Sequence, residues 1–343
     1  MKPVIDAMHR AVEDLSQMET FHGYGASSGY DFLKKAILKN DYAKFHFSTD
    51  EIYISNGTKT DVCSILELFD ENATIGIIGP IYPIYKNGSL CLNRKIRFFS
   101  SKEEEGFLPT IPNEKVDILY LCSPNNPIGI AYDENTLKKI VEYAIRNETI
   151  ILFDNAYYAF VHSQGIPKSI YEIEGAEKVA IEFRSFSKSA SFTGVRCSYF
   201  VIPNAIHPSI NDVWKKRTIN RFNGADYIAQ RGAEASYLEE SKEEIQKNMK
   251  DYLVHTKILK ESFHDLGFTV YGGEDSPFIW VKNKEKNVTS WDIFHLYLEK
   301  LNIIITPGII FGLEGNQFFR VSGLASVETI QKAIERIKRY YES

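Results

Sequence analysis

The chain of 343 residues lacks the features that mark several broad classes of protein. No apolar run is long enough to span a membrane, and the amphipathic N-terminal stretch differs from a signal peptide. The formal net charge is −5, so no basic surplus indicates a nucleic acid or a membrane surface as a partner. We therefore expect a cytoplasmic protein that binds neither nucleic acid nor membrane.

The sequence also gives little support for metal or disulfide chemistry. The cysteines lie far apart and show no paired spacing: Cys63, Cys91, Cys122 and Cys197. None of the eight histidines has the spacing of a metal ligand set or a catalytic triad. This pattern argues against a zinc site and a disulfide framework, and it fits a reducing compartment.

What the sequence does contain is a regular alternation of apolar runs with helical patterns. The apolar runs cover residues 51–55, 74–78, 116–122, 149–153, 179–183 and 195–203. Near-continuous apolar runs are typical of strands buried on both faces, and the alternation predicts an α/β fold with a mostly parallel sheet. Residues 133–147 have helical spacing, and Asp133 is a plausible N-cap for that helix.

The character of the sequence changes after about residue 235. A long charged helical pattern covers residues 236–266 and is followed by short strand patterns and two further helices. We predict a large domain over residues 1–232 and a smaller α+β C-terminal domain over residues 233–343.

Polar groups follow the predicted strands, where open α/β sheets bind their ligands. They are Gly57-Thr58-Lys59, Tyr82, Asn125-Asn126-Pro127, Asp154 with Tyr157, Ser185 with Ser187 and Lys188, and Arg196. Hydroxyls, a guanidinium and a helix N-terminus suit a phosphate group. A reactive lysine and an aspartate for a pyridinium nitrogen complete the requirements of pyridoxal phosphate.

Several longer motifs carry a resemblance to a known family. They are FRSFSKSASFTGVR, CSPNNPIG, FDNAYYAF, FNGADYIAQ, YGGEDSPFIWV and TPGIIFG. In this order and spacing the chain resembles the fold-type I, pyridoxal phosphate-dependent aminotransferases, and within them the LL-diaminopimelate aminotransferases. The resemblance implies a homodimer that exchanges an amino group between glutamate or 2-oxoglutarate and LL-diaminopimelate or tetrahydrodipicolinate, for lysine and peptidoglycan precursors.

The resemblance assigns the central chemistry to one lysine and the groups around the cofactor ring. Lys188 would form the Schiff base with the cofactor and move the α-proton of the substrate. Asp154 would face the pyridine nitrogen, and Asn126 and Tyr157 would donate to the ring oxygen. Tyr82 would stack on the ring. The alternative roles are a surface lysine for Lys188, a helix cap for Asp154, a turn residue for Asn126, and core packing for Tyr157 and Tyr82.

The resemblance also implies binding groups for the phosphate and the substrate. The phosphate cradle would consist of Ser185, Ser187, Arg196, Lys59 and Thr58, the last through its backbone amide. Arg320 would pair bidentately with the substrate α-carboxylate. The further substrate contacts would be Lys59, Tyr82, Asn126 and Asn223. Tyr24 and Asn223 would reach the cofactor site of the neighbouring subunit, or serve local packing.

The chain also departs from the family pattern. Ile128 stands where the family usually has threonine, and Ser27 where it tends to have an acidic residue for the distal ammonium of diaminopimelate. The family begins with a segment that this sequence does not contain, so we expect the N-terminal part of the small domain to be missing and the site to be wetter. Two alternatives stay open: an aminotransferase for another, aromatic or aliphatic, amino acid, or a cofactor-binding paralogue without turnover.

Overall fold

The computed structural model describes residues 1–342, which form two β-sheets. The strands of the first sheet are β1 (Ile52–Ser55), β2 (Thr74–Gly79), β3 (Lys95–Ser100), β4 (Ile118–Cys122), β5 (Ile150–Asp154), β6 (Ala180–Ser185) and β7 (Ser198–Val201). The strands of the second sheet are β8 (Val270–Gly272), β9 (Phe278–Lys282), β10 (Thr306–Pro307) and β11 (Phe318–Ser322).

The α-helices lie between and around these strands. In chain order they are α1 (Lys2–Asp14), α2 (Asp31–Asp41), α3 (Thr58–Ser64), α4 (Ile84–Cys91), α5 (Glu134–Asn147), α6 (Phe186–Ser189), α7 (Pro208–Arg221), α8 (Tyr227–Ala235), α9 (Glu239–Asp265), α10 (Ser290–Leu301) and α11 (Val327–Tyr341).

The first sheet has the strand order β1-β7-β6-β5-β4-β2-β3. Strands β2 to β6 pair in parallel, and β7 runs antiparallel to both β1 and β6. The prediction of a mostly parallel α/β sheet is therefore confirmed. The sequence did not predict β3, because this strand lies at the edge of the sheet and its mostly exposed residues form no continuous apolar run.

The central strands are buried on both faces, as their apolar composition predicted. In β4, Leu119 and Leu121 belong to one apolar cluster, whereas Ile118 and Tyr120 belong to the cluster on the opposite face. Successive side chains of a strand point to opposite faces, so a strand between two helical layers needs apolar residues at every position. The carboxyl ends of β4, β5 and β6 consequently lie side by side at one edge of the sheet.

Two of the predicted helices have the expected ends and lengths. The carboxylate of Asp133 accepts a hydrogen bond from the Thr136 N–H at 2.8 Å and so caps α5. The long helix α9 runs over 27 residues within the predicted charged segment. Along the part of the chain that the structure describes, no helix is long and apolar enough to cross a membrane.

The second sheet is antiparallel and lies wholly after residue 233, in the strand order β10-β11-β9-β8. Its core includes Leu259 of α9, Tyr297 of α10 and Ile330 of α11. The proposed domain boundary between residues 232 and 233 stays a prediction.

Strand β6 carries a buried ion pair close to its carboxyl end. The Arg184 Nε donates to the Glu182 carboxylate at 2.6 Å, and both side chains are almost fully buried. A second guanidinium nitrogen donates to the Lys168 carbonyl at 2.8 Å, and the guanidinium lies 4.3 Å from the ring centroid of Tyr158. These contacts of Arg184 fix the position of the residue that directly precedes Ser185.

Glu182 is also satisfied by three uncharged donors. They are the Tyr42 hydroxyl at 2.8 Å, the Ser169 hydroxyl at 2.8 Å and the Ile170 N–H at 2.9 Å. A buried pair is tolerated when its remaining lone pairs are occupied in this way.

We expect Glu182→Ala to lower the free energy of unfolding by about 3–5 kcal/mol, because Arg184 would become a buried charge without its main partner. Denaturant unfolding followed by circular dichroism measures the change. The matched control is Glu239→Ala, which removes an exposed partner of Lys242 and should shift the midpoint little. Equal midpoints for the two variants would contradict the expectation.

Candidate active site

Lys188 lies in α6, immediately after the carboxyl end of β6. The Ser185 side chain caps this short helix by accepting from the Ser187 N–H at 3.2 Å. Burial lowers the pKa of Lys188, and the positive charges of Arg320 and Arg196 lower it further. The structure thus places Arg320, from the second sheet, and Arg196, from the same stretch of sequence as Lys188, close enough to lower the pKa of the lysine, which favours the nucleophilic amine.

Arg196 and Ser187 form one wall of the predicted phosphate cradle. The guanidinium donates to the Ser187 hydroxyl at 3.0 Å. It also lies against the α-carbon of Gly57, where a β-carbon would be 2.2 Å from the guanidinium Nη2. Gly57 has φ +147, a conformation that favours glycine. A glycine at this position therefore lets the backbone that leads into Thr58 approach Arg196.

Thr58 uses its hydroxyl within the protein. The hydroxyl donates to the Arg184 carbonyl at 3.2 Å, and the residue is buried. Its N–H lies in the first turn of α3, where amide groups have no carbonyl partner within the helix. This arrangement leaves the backbone amide of Thr58 available, and its contact with a phosphate stays a prediction. Lys59 is exposed beside it.

Asp154 ends β5 as a buried carboxylate with two neutral donors. One oxygen accepts from the Tyr85 hydroxyl at 2.6 Å, and the other accepts from the Ala156 N–H at 3.1 Å. Burial raises the pKa of Asp154, and these two hydrogen bonds oppose the rise. No lysine or arginine of residues 1–342 forms an ion pair with it. A protonated ring nitrogen would supply the missing charge partner.

Asn126 and Arg320 connect the two sheets at the site. The Arg320 Nη1 donates to the side-chain amide oxygen of Asn126, Oδ1, at 2.6 Å. Because that contact occupies the oxygen of the amide, the NH₂ group of Asn126 is left to donate elsewhere. Tyr157 is buried nearby, its ring centroid 5.7 Å from the Lys188 Nζ, and burial raises the pKa of its hydroxyl.

Arg320 has the properties of a receptor for a carboxylate. Its Nη2 donates to the Thr306 hydroxyl at 3.2 Å, and its guanidinium lies 4.4 Å from the ring centroid of Phe278. Its Nε is buried and has no hydrogen-bond partner among the residues that the structure describes. Within the same residues it also has no acidic partner, so a carboxylate from a ligand would satisfy both needs.

Tyr82, the predicted stacking residue, is half-buried at the edge of this group. Its ring contacts the ring of Tyr85 edge-on, with centroids 5.9 Å apart. Burial raises the pKa of the Tyr82 hydroxyl, and the negative charge of Asp154 adds to the rise.

Tyr24 and Asn223 lie apart from this group, on the surface. Tyr24 is 92% exposed, and Asn223 is also exposed. Their loops pack together, since a β-carbon on Gly224 would be 2.9 Å from the Ala26 carbonyl. Within residues 1–342, neither side chain forms a hydrogen bond or a ring contact with the group around Lys188.

Sequence reasoning missed two residues that contact predicted site residues, Tyr85 and Thr306. Tyr85 lies in the first turn of α4, and Tyr82 lies just before the N-cap of that helix, Pro83. Thr306 lies directly opposite Arg320 in the pairing of β10 with β11. The proximity of the two tyrosines along the chain was visible in the sequence, whereas the strand register was not.

The chain is similar to known proteins over almost its whole length. Residues 1–337 match the family model described as aminotransferase class I and II. An LL-diaminopimelate aminotransferase from Bacteroides fragilis is 41% identical, with 98% of this chain and 87% of that protein covered. A protein of the same name from Lawsonia intracellularis is 40% identical, with 98% and 87% covered.

Solved structures agree with the sequence relatives. An LL-diaminopimelate aminotransferase from Chlamydomonas reinhardtii has a TM-score of 0.93 and 36% identity, with 99% of this chain and 87% of that chain covered. An aromatic aminotransferase from Pyrococcus horikoshii has a TM-score of 0.91 at 20% identity, with 100% and 92% covered, and shows the fold alone.

We expect Arg320→Gln to raise the pKa of Lys188, because it removes a positive charge that disfavours the ammonium form. The midpoint of Lys188 modification against pH, followed with an amine-directed reagent and peptide mass spectrometry, should therefore move to higher pH. Arg146→Gln, in the last turn of α5, is the matched control and should not move it. An unchanged midpoint in Arg320→Gln would show that the two side chains do not interact.

Proposed function

The chain belongs to the class I and II aminotransferases, and from this premise we propose that it transfers amino groups with pyridoxal phosphate as its cofactor. The observation that carries the proposal is that two arginines act on Lys188 from different sheets. Arg196 lies between β6 and β7 of the first sheet, and Arg320 lies in β11 of the second sheet. A lysine with a lowered pKa between two anion-binding groups is what a phosphate-bearing aldehyde and an amino acid carboxylate both require.

The residues present fit this cofactor. Ser185, Ser187, Arg196 and the Thr58 amide would hold its phosphate, and the glycine at position 57 keeps the cradle open. The buried carboxylate of Asp154 lacks a cationic partner within residues 1–342 and would receive the protonated ring nitrogen. When bound, pyridoxal phosphate supplies an electron sink for the charge that develops at the substrate α-carbon.

Each protein group then has a defined task toward the amino acid. Arg320 would bind and orient the α-carboxylate, with its guanidinium held by Asn126 and Thr306. The amine of Lys188 would accept the proton from the substrate α-carbon, and in the reverse half-reaction it would deliver a proton to the α-carbon of the new amino acid. Tyr82 and Tyr157 would border the ring and exclude water from it. Lys59 and Asn223 are further candidate substrate contacts.

For the substrate we propose LL-diaminopimelate, with glutamate and 2-oxoglutarate as the second pair. The support is that relatives about 40% identical over nearly the full chain carry that name. Ser27 favours the alternative of another amino acid, because a hydroxyl binds a distal ammonium more weakly than a carboxylate. A role in lysine and peptidoglycan precursor synthesis in the cytoplasm follows from the first assignment.

We further propose a homodimer with shared active sites. The support is that Tyr24, which is 92% exposed, and the exposed Asn223 lie on loops that pack together, where both are accessible to a second chain. In the dimer, Tyr24 and Asn223 would enter the cofactor site of the neighbouring subunit.

Protein reconstituted with pyridoxal phosphate should show a visible absorbance band that Lys188→Ala lacks, and it should transaminate 2-oxoglutarate with LL-diaminopimelate. A panel of aromatic and aliphatic amino acids measures the rival substrates. Lys178→Ala, on a turn outside the site, serves as the control. A protein without the band would contradict the enzyme assignment, and a band unchanged by every donor would indicate a paralogue without turnover.

We expect Ser27→Glu to raise kcat/KM for LL-diaminopimelate, because a carboxylate forms a charge-assisted bond with the distal ammonium about twice as strong as a neutral one. Steady-state kinetics measure it. Ser27→Gln has the same size without the charge and should not raise kcat/KM. An equal or lower value for Ser27→Glu would show that position 27 does not contact the distal group.

A further inference from the structure

Tyr85 is a buried hydroxyl that the assigned chemistry leaves without a task. It is 1% exposed, and its hydroxyl donates to the Asp154 carboxylate at 2.6 Å. We propose that Tyr85 is a positioning residue for Asp154, holding one carboxylate oxygen so that the carboxylate keeps its orientation and its negative charge toward the ring nitrogen. This inference rests on the proposed function, which places that nitrogen opposite Asp154.

The division of hydrogen bonds on Asp154 supports this role. Tyr85 occupies one carboxylate oxygen and the Ala156 N–H occupies the other. Each carboxylate oxygen can accept about two hydrogen bonds, so both oxygens keep a free lone pair after these contacts. Two donors from opposite sides therefore fix the plane of the carboxylate without blocking it against a further N–H group.

The ring of Tyr85 cannot easily turn away from Asp154. It stacks on Tyr120 with ring centroids 4.7 Å apart and planes at 17°, and the Tyr120 hydroxyl is tied to the Val62 carbonyl at 2.5 Å. The ring of Tyr85 also contacts the ring of Tyr82 edge-on. One residue thus links the carboxylate for the ring nitrogen with the aromatic residue predicted to cover the ring.

The hydrogen bond from the Tyr85 hydroxyl opposes the effect of burial on Asp154. Burial raises the pKa of Asp154, and the Tyr85 hydrogen bond is the larger of the two contacts that lower it. The other titratable groups that interact electrostatically with Asp154 are Asp61 of α3, Cys122 of β4, Tyr82, Tyr120 and Tyr157. Burial raises the pKa of each of them, and none of them donates a hydrogen bond to the Asp154 carboxylate. Tyr85 is therefore the main side chain whose hydrogen bond opposes the rise in the pKa of Asp154.

The test uses Tyr85→Phe, which keeps the ring stack and removes only the donor. The affinity of the protein for pyridoxal phosphate, measured across pH by absorbance titration, should fall about tenfold near neutral pH. The acid side of the affinity profile should move to higher pH, because Asp154 loses a bond that lowers its pKa. In turnover, kcat should fall while KM for the amino donor changes little.

Tyr120→Phe is the matched control. It removes a buried hydroxyl from the neighbouring ring of the same stack, one that bonds a backbone carbonyl and not Asp154. Its affinity profile should have the same acid side as the parent protein. If both variants lose affinity equally, or if Tyr85→Phe binds like the parent, the positioning role is wrong.

A double-variant cycle distinguishes an effect transmitted through Asp154 from a general loss of packing around Tyr85. If Tyr85 acts through Asp154, the change should have little further effect on affinity in an Asp154→Asn background. An undiminished loss in that background would overturn the inference. A parent protein that binds pyridoxal phosphate but transaminates no donor would refute only the proposed function, whereas one that binds none would refute both.

Discussion

The structure depends on the buried ion pair between Arg184 and Glu182 in strand β6. This strand delivers Ser185 and then Lys188 to the site, and its backbone carbonyl at Arg184 also accepts the Thr58 hydroxyl. A charge pair in a dry interior costs free energy unless every lone pair and proton has a partner. Here the Tyr42 and Ser169 hydroxyls and backbone groups complete it, so the pair is satisfied where the strand leads into Ser185.

From this fixed strand the site extends in two directions with different chemistry. Beside α3 the site can bind an anion, because the Arg196 guanidinium and the Ser187 hydroxyl lie there. The backbone can approach Arg196 at this place only because residue 57 is glycine. Toward β5 the site is a place for a cation, because Asp154 is buried with neutral donors alone. A ligand with a phosphate at one end and a protonated nitrogen at the other matches this polarity, and Lys188 lies between the two ends.

The sequence predicted the central strands and most of this group because both follow from local rules. A strand covered on both faces must be apolar throughout, and parallel strands bring the residues after their carboxyl ends to one edge. What could not be predicted depended on tertiary packing. Strand β3 has no continuous apolar run, and the bond from Tyr85 to Asp154 joins residues 69 positions apart. The roles of Tyr24 and Asn223 stay predictions, because within residues 1–342 neither side chain contacts the group around Lys188 and local patterns do not describe a second chain.

The bond between Arg320 and Asn126 has a further consequence for how the protein responds to its substrate. Arg320 belongs to the antiparallel sheet and Asn126 to the loop after β4 of the parallel sheet, so this bond joins the two sheets beside apolar clusters that also span them. A carboxylate that engages the guanidinium must share it with Asn126 or displace it. The guanidinium that would recognise the amino acid therefore also helps to hold the two sheets together, and a ligand that binds one arrangement of the sheets more tightly would shift the population toward it.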